Sequence, residues 1–498
     1  MYVIGLDIGT SGVKSSVLDD KANVLYHAYR EYDLISPMAD QYEIDPDLIF
    51  QKALEVLEES TRNCNRKNIR AICVTSFGES LVCMDKNDQV LSNSMIYMDQ
   101  RGSEECKEFL DIITGEQILS MSGQFANPMF GIYKLKWMIS HKPELQDKIH
   151  RISFIADFVT YKLGADHICD YSLAARSGMF SIKEKKWWDT ALSFANIDAH
   201  KLPRPVPSGS IVGTMSKKIA ERLDMSADVK LIIGGHDQIV AALGSGAFQN
   251  GDVTNGLGTV DCMIPITSAH LIDNSKLARY KLCLVPFFSD EQYVTYAFMT
   301  TGGAIMKWFR DTFAKDLSNQ KNAYEILNCE LPPHPTDLFV IPYFAGGSTP
   351  DLDAITPAVI SGMRLSTTRG ELFRAFMEGE TYEMKLALDS LEDSGIQVQR
   401  IISVGGGSHS DAWMQIRSNI FNRKLYVAQN KEAGILGSAI LCYANLGLYR
   451  DIREAQKFLT QIERSYDPNQ FHAEIYSHRI KKYQDLYKSI KGVYQTLC

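Results

Sequence analysis

Asp7 stands at the end of an apolar run in "VIGLDIGTSGVK", Val3 to Lys14. The run then breaks into Gly9-Thr10-Ser11-Gly12 and resumes. A glycine-rich hairpin exposes backbone N–H groups, and hydroxyls add donors, so such a turn can cradle phosphate oxygens. A second turn of this kind, Gly258-Thr259, lies in "NGLGTVD". Neither fits the pattern GxxxxGK[ST], which excludes a P-loop. A carboxylate beside phosphates repels them unless a Mg²⁺ lies between, held directly or through water. Asp7 can serve that ion, or it can simply bond the amides of its own turn.

In "VKLIIGGHDQIVAALGSG" an apolar strand ends in Gly234-Gly235, and His236-Asp237-Gln238 lead into a helix. Asp237 at the start of that helix can take a proton from a substrate hydroxyl. It can equally be a plain N-cap. His236 reads as a packing or hydrogen-bonding residue. In "TSFGESLVCMD", Gly78 and Glu79 follow another strand. Glu79 either bonds substrate hydroxyls or is an exposed turn acid. Asp99 and Arg101 in "YMDQRG" form either a salt-bridged loop or a pocket wall. Gly405-Gly406-Gly407 in "SVGGGSHSDAW" would let a flat ring or a phosphate approach the backbone, without the full GxGxxG of a dinucleotide site. "TTGGAIMKWFRD" is another glycine pair leading into a helix.

These residues need elements to hold them. Strands are expected at Tyr2–Ile8, Val13–Asp19 and Val24–Leu34, then a helix in which Asp45 caps and Pro46 opens the first turn. Ile49, Ala53, Val56 and Leu57 share its apolar face, and "IRAICVTS" follows as a short buried strand. "GDVTNGLGTVDCMIPIT" repeats strand, turn, strand, and Thr368 with Glu371 suggests a capping box ahead of a long helix ending near Gly395. Strands and helices then alternate through "RIISVGGG", "DAWMQIRSNIF", "KLYVAQ" and "AGILGSAILCYANLG". "GLDIGTSG" is echoed by "NGLGTVD", and "AALGSGA" by "GILGSAI". The echoes keep their order, which favours two related α/β domains, residues 1–246 and 247–498.

The chain has 498 residues and a net charge of −8, which argues against coating nucleic acid. Ten scattered cysteines without a CxxC pair read as reduced thiols of a cytoplasmic protein. No signal peptide and no membrane span are expected.

Taken together, "GLDIGTSGVK", "GGHDQIVAALGSG", "NGLGT", "TGGAIMKWFRD", "IPYFAGGSTP", "GGGSHSDAWMQ" and "GILGSAIL" resemble the FGGY carbohydrate kinases over nearly the whole chain. The resemblance implies two ribonuclease-H-like domains of the actin and hexokinase type, with ATP and Mg²⁺ in the cleft between them. It implies Asp237 as catalytic base and Asp7 as the acid nearest the metal. Gly9, Thr10, Ser11, Gly258, Thr259, Gly303, Lys307, Gly406 and Ser410 would meet the nucleotide. Gly78, Glu79, Asp99, Asp237 and Gln238 would meet the sugar.

At the sugar end the chain departs from the subfamilies. Glycerol kinases carry Arg-Glu at Gly78-Glu79, and a tyrosine where Met129 follows Pro128. Xylulokinases tend to show Met-His-Gly where this chain has Gly78-Glu79-Ser80, while Asp99 resembles the aspartate of their Asn-Asp pair. The expected activity is therefore ATP-dependent phosphorylation of a ketose, sugar acid or polyol, xylulokinase-like first, with a small-molecule sugar as partner and a homodimer compatible with it. The alternative is an actin- or chaperone-like ATPase of the same fold that phosphorylates no sugar.

Overall fold

The computed structural model describes residues 1–497 and resolves into two compact units. The first unit holds residues 1–248, 283–294 and 432–460. The second holds 249–282, 295–431 and 461–498, of which Cys498 lies outside the described residues.

The first unit is built on a six-stranded sheet in the order Ile211–Thr214, Lys230–His236, Ile69–Ser76, Tyr2–Ile8, Gly12–Leu18, Val24–Glu31. The Tyr2–Ile8 strand turns back antiparallel onto Gly12–Leu18, and runs parallel to Ile69–Ser76. That strand in turn runs parallel to Lys230–His236. Its near-continuous burial matches the apolar composition of a strand covered on both faces. Asp7 pairs with Thr75, and Thr75 with Gly235, so three parallel strands end at one level. Ligands of open α/β sheets bind beyond this carboxyl edge. The helix Pro46–Ser60 covers the sheet as its sequence suggests. Asp45 accepts the Asp47 N–H at 2.9 Å, and Ile49, Ala53, Val56 and Leu57 are buried.

The compact units differ from a single division at residue 246. Helix Ala433–Asn445 belongs to the first unit, packed against helix Asp237–Ser245 and strand Tyr2–Ile8. Glycine makes this approach possible. A Cβ on Gly244 would lie 1.8 Å from the Ala433 carbonyl oxygen, and one on Gly437 would lie 2.0 Å from that of Val240. The sequence echo between "AALGSGA" and "GILGSAI" thus joins two helices that touch within one unit.

The second unit repeats the scheme. Asp252–Leu257 pairs antiparallel with Asp261–Ser268 and parallel with Arg400–Val404. Arg400–Val404 runs parallel to Leu425–Ala428, which pairs antiparallel with Ile462–Tyr466. The 25-residue helix Arg369–Asp393 opens with the expected capping box: Thr368 N–H donates to Glu371 at 2.7 Å, and Glu371 N–H to Thr368 Oγ1 at 3.2 Å. Behind the hairpin, fully buried Arg417 bridges Asp261 at 2.6 Å and Glu380 at 2.8 Å, and donates to Asn255 at 2.8 Å. Held by two carboxylates and an amide, this buried guanidinium fixes the hairpin from below.

Candidate active site

In the first unit the three parallel strands deliver their chemistry at one edge. Strand Tyr2–Ile8 ends in Asp7 and the Gly9–Gly12 turn, closed by the Gly9 N–H to Gly12 carbonyl bond of 2.9 Å. Ser11 is exposed at the tip and Thr10 is half-buried beside it. Lys14, directly across the hairpin, holds Asp7 Oδ2 at 3.1 Å and Glu432 at 3.0 Å. Burial works against the Lys14 charge, but Asp7 and Glu432 outweigh it and raise its pKa. The second oxygen of Asp7, Oδ1, is buried and has no hydrogen-bond partner.

Strand Lys230–His236 ends in Asp237, the first residue of helix Asp237–Ser245, with His236 in the capping position. The turn is braced from beneath. Ser172 Oγ accepts the His236 N–H at 2.8 Å, and Asp170 accepts Ser172 N–H at 2.7 Å and Ser208 Oγ–H at 2.5 Å. Gly235 has φ +107°, and a Cβ there would lie 2.6 Å from Asp170, so only glycine closes this turn. Asp237 Oδ1 lies 3.6 Å from His236 Nε2 and has no hydrogen-bond partner.

Two influences oppose each other at Asp237. A helix N-terminus favours the ionised carboxylate, and burial opposes it. A quarter of the side chain is exposed, yet protein crowds the carboxyl closely. Burial, then the charges of Asp7 and Glu79, push its pKa up to about 8, while the backbone and side chain of Gln238 pull the other way. Burial, then Arg176, lowers the His236 pKa well below its ordinary value, so that ring is neutral.

Strand Ile69–Ser76 leads to Gly78 and Glu79. A Cβ on Gly78 would lie 2.9 Å from the His236 ring, so glycine lets this turn pack onto the Asp237 turn. Glu79 takes a left-handed backbone (φ +66°), rare for a side-chain-bearing residue. It is buried and bound by the Arg176 guanidinium. It is therefore not an exposed turn acid. Asp99 is also fully buried. Arg101 holds it at 2.6 Å and the Tyr42 N–H at 2.8 Å, and Arg101 also pairs with Glu43 at 2.8 Å. Both Asp99 oxygens are spent on protein, which is the salt-bridged loop and not a pocket wall.

In the second unit Gly258, Thr259, Gly303, Lys307, Gly406 and Ser410 all line one cavity of about 1010 Å³. Gly303 N–H donates to the Gly258 carbonyl at 2.8 Å and Ala304 N–H to that of Thr259 at 3.2 Å, which clamps the helix start onto the hairpin turn. From there the cavity follows the helix through Lys307 to Asp311, roughly 12 Å at 1.5 Å per residue. Gly406 is open: a Cβ there would meet nothing within 4 Å. Ser410 caps helix Asp411–Phe421 through the Trp413 N–H at 3.3 Å. Trp308, Tyr324 and Asn328 also line this space, and Asn328 Oδ1 is buried without a partner.

Sequence reasoning passed over Lys14, Arg176, Tyr324 and Asn328. Lys14 had a readable signal, since i and i+7 across a two-strand turn face each other. A lone arginine in the apolar helix "YSLAAR" marks Arg176. Nothing local marks Tyr324 or Asn328.

Residues 2–244 match the FGGY family of carbohydrate kinases, N-terminal domain, and residues 254–446 match its C-terminal domain. The chain is 25% identical to a xylulose kinase of Bacillus subtilis over 496 residues, 99% of this chain and 96% of that one. It is 27% identical to a gluconokinase of Bacillus licheniformis over 460 residues, 90% and 87% of the two chains. Its fold superposes on the ligand-bound xylulose kinase of Lactobacillus acidophilus with a TM-score of 0.90 at 24% identity, covering both chains in full. Family membership decides between the two expected activities, in favour of the sugar kinase. With its two α/β units and its match along both family domains, the chain belongs to the FGGY carbohydrate kinases, ATP:sugar phosphotransferases.

Proposed function

We propose that the protein transfers the γ-phosphoryl group of ATP to a terminal hydroxyl of an open-chain sugar, with a ketose such as xylulose as the lead acceptor. The carrying observation is Asp237: a carboxyl oxygen without a partner, at a helix start, at the carboxyl edge of three parallel strands. In its ionised form Asp237 accepts the hydroxyl proton as the phosphoryl group is attacked. Glu79 and Gln238, beside it, orient the other hydroxyls. Gly9, Thr10 and Ser11 offer donors suited to phosphate oxygens. Gly258, Thr259 and the start of helix Gly303–Phe313 likewise carry donors, and helix N-terminal N–H groups favour anions. Tyr324, Asn328, Lys307, Gly406 and Ser410 line the same cavity, with room for the rest of the nucleotide.

A Mg²⁺ fits the unspent, hard oxygens Asp7 Oδ1 and Asp237 Oδ1. When bound it neutralises phosphate charge. Among the described residues no group of three or more ligating side chains is present, which suits an ion that keeps waters and phosphate oxygens as ligands. Among the described residues no disulfide links any of the nine cysteines, in keeping with a cytoplasmic enzyme. Among the described residues no helix is long and apolar enough to cross a membrane.

The test is ADP release with ATP, Mg²⁺ and a panel of pentuloses, hexuloses, sugar acids and polyols. Sugar-dependent ADP release with a pentulose among the best acceptors supports the reading. ADP release that no sugar alters would overturn it.

A further inference from the structure

The region around Asp237 is rich in charge, and every cation in it is already engaged. Arg176, at the end of helix Tyr171–Arg176, is buried and grips Glu79 through Nε and a terminal nitrogen. Its guanidinium also donates to Gln124 Oε1 at 3.2 Å, contacts Cys283 Sγ at 3.5 Å, and lies over the Phe130 ring at 5.0 Å. Lys14 is held between Asp7 and Glu432. Lys134 is buried, donates to the Ile96 carbonyl at 2.5 Å, and is pulled by burial down to about 7. His236 is neutral. Set against these are three carboxyl groups, Asp7, Glu79 and Asp237. The charges of Asp7 and Glu79 are both felt at Asp237. Tyr97 is partly exposed, and burial, then the charges of Glu79 and Asp237, raises its pKa.

We propose that the Glu79–Arg176 pair is a charge filter that selects a neutral ketose or polyol and rejects sugar acids. A sugar carboxylate needs a cation with open hydrogen-bonding positions, best supplied by a bidentate arginine. Here Glu79 occupies that arginine from inside the protein. With Arg176 spent on Glu79 and Lys14 on Asp7, an aldonate would bring a further negative charge beside Glu79 without an open arginine fork to receive it, and like charges brought together out of water repel strongly. A neutral polyhydroxy chain meets carboxylate acceptors, which suit hydroxyl donors. The left-handed backbone at Glu79 fits this account: strain of this kind persists where the surroundings fix it, and the Arg176 grip does so.

The inference rests on the sugar-kinase reading, and the experiment separates the two. Gluconate and glucitol share a six-carbon chain and differ in one carboxylate; xylulose serves as the ketose. Steady-state ADP release and calorimetric binding are measured for all three with the wild type and with Glu79→Gln. In the wild type, glucitol and xylulose should each exceed gluconate by about tenfold or more, in kcat/KM and in affinity. Glu79→Gln keeps the shape but frees the guanidinium charge, and should shift the gluconate-to-glucitol ratio toward gluconate by about tenfold, the scale of one charge-assisted hydrogen bond. Thermal melting confirms that the variant is folded, and the wild-type ratios stand on their own if it is not. A wild type that prefers gluconate, or a folded variant with an unchanged ratio, overturns the filter. If no sugar drives ADP release, the kinase reading fails, and the wild-type binding ratio alone decides the filter.

Discussion

Lys14 and Asp7 face each other across the first hairpin, with Lys14 Nζ 3.1 Å from Asp7 Oδ2. The lysine takes one carboxylate oxygen and leaves Oδ1 without a partner. Asp7→Asn keeps the shape and one oxygen but loses the charge an ion needs. We expect turnover to fall at least about tenfold at ordinary Mg²⁺, partly recovered at high Mg²⁺, while calorimetric sugar affinity changes less than about twofold. Wild-type turnover in this variant would remove Asp7 from the metal's surroundings.

Asp237→Asn should reduce kcat by about 10²–10⁴, the usual cost of losing a general base, with sugar and ATP affinities within a few-fold of wild type. The same variant tests the carboxyl's burial. A carboxyl of ordinary pKa near 4 that sits at about 8 in the folded chain holds its proton while the unfolded chain has released it. Stability therefore falls as pH rises through that window, and Asn removes the effect. The melting temperature of Asp237→Asn should exceed wild type at pH 8 by about 2 °C or more, and match it near pH 4. A base-free role at the helix start predicts normal kcat instead.

Activity should follow the same proton. The base must be ionised to work, so kcat/KM for the sugar should climb with pH on a limb whose midpoint lies near 8 at low Mg²⁺. A bound cation stabilises the ionised form, so raising Mg²⁺ should move that midpoint down. A flat profile between pH 6 and 8 at every Mg²⁺ concentration would contradict the assignment of Asp237.

Two glycines of the second unit's cavity should answer differently to added bulk. Gly406→Val places methyls into open space. It should leave the melting temperature alone and raise the ATP KM about five- to hundredfold, the range set by about 1–3 kcal/mol of overpacking against a bound ligand. Gly303→Ala puts a methyl 2.6 Å from the Gly258 carbonyl oxygen, so it should lower the melting temperature as well. Equal melting temperatures for the two variants would mean that the clamp between hairpin and helix is soft.

Much of this was legible in one dimension. Asp7, Asp237 and the glycine turns declare themselves because the chain interrupts apolar strands with residues that only chemistry or tight turns require. Parallel pairing then brings their ends to one edge. Glu79 was half legible: its type suggested a hydroxyl partner, but its burial and its arginine come from Arg176, 97 positions away. Asp99 was left between a salt-bridged loop and a pocket wall because spacing cannot say which way a loop carboxylate turns; Arg101, two residues on, folds back onto it. The raised pKa of Asp237 was hidden for a related reason: a helix start favours the anion, but burial, then the charges of Asp7 and Glu79 from elsewhere in the chain, oppose it.

Helix Ala433–Asn445 also bears on how the protein is made. Strand Tyr2–Ile8 and helix Asp237–Ser245 leave the ribosome early, whereas the helix that seals them emerges roughly 200 residues later. At about 5–20 residues per second, that is on the order of 10–40 s of synthesis during which Gly244, Val240 and their apolar neighbours lack a cover. A nascent chain stalled before residue 432 should be protease-sensitive and chaperone-bound, and residues 1–246 expressed alone should aggregate unless a peptide spanning 432–460 is supplied. The order of translation thus places the completion of the first unit's fold after most of the second unit has been made.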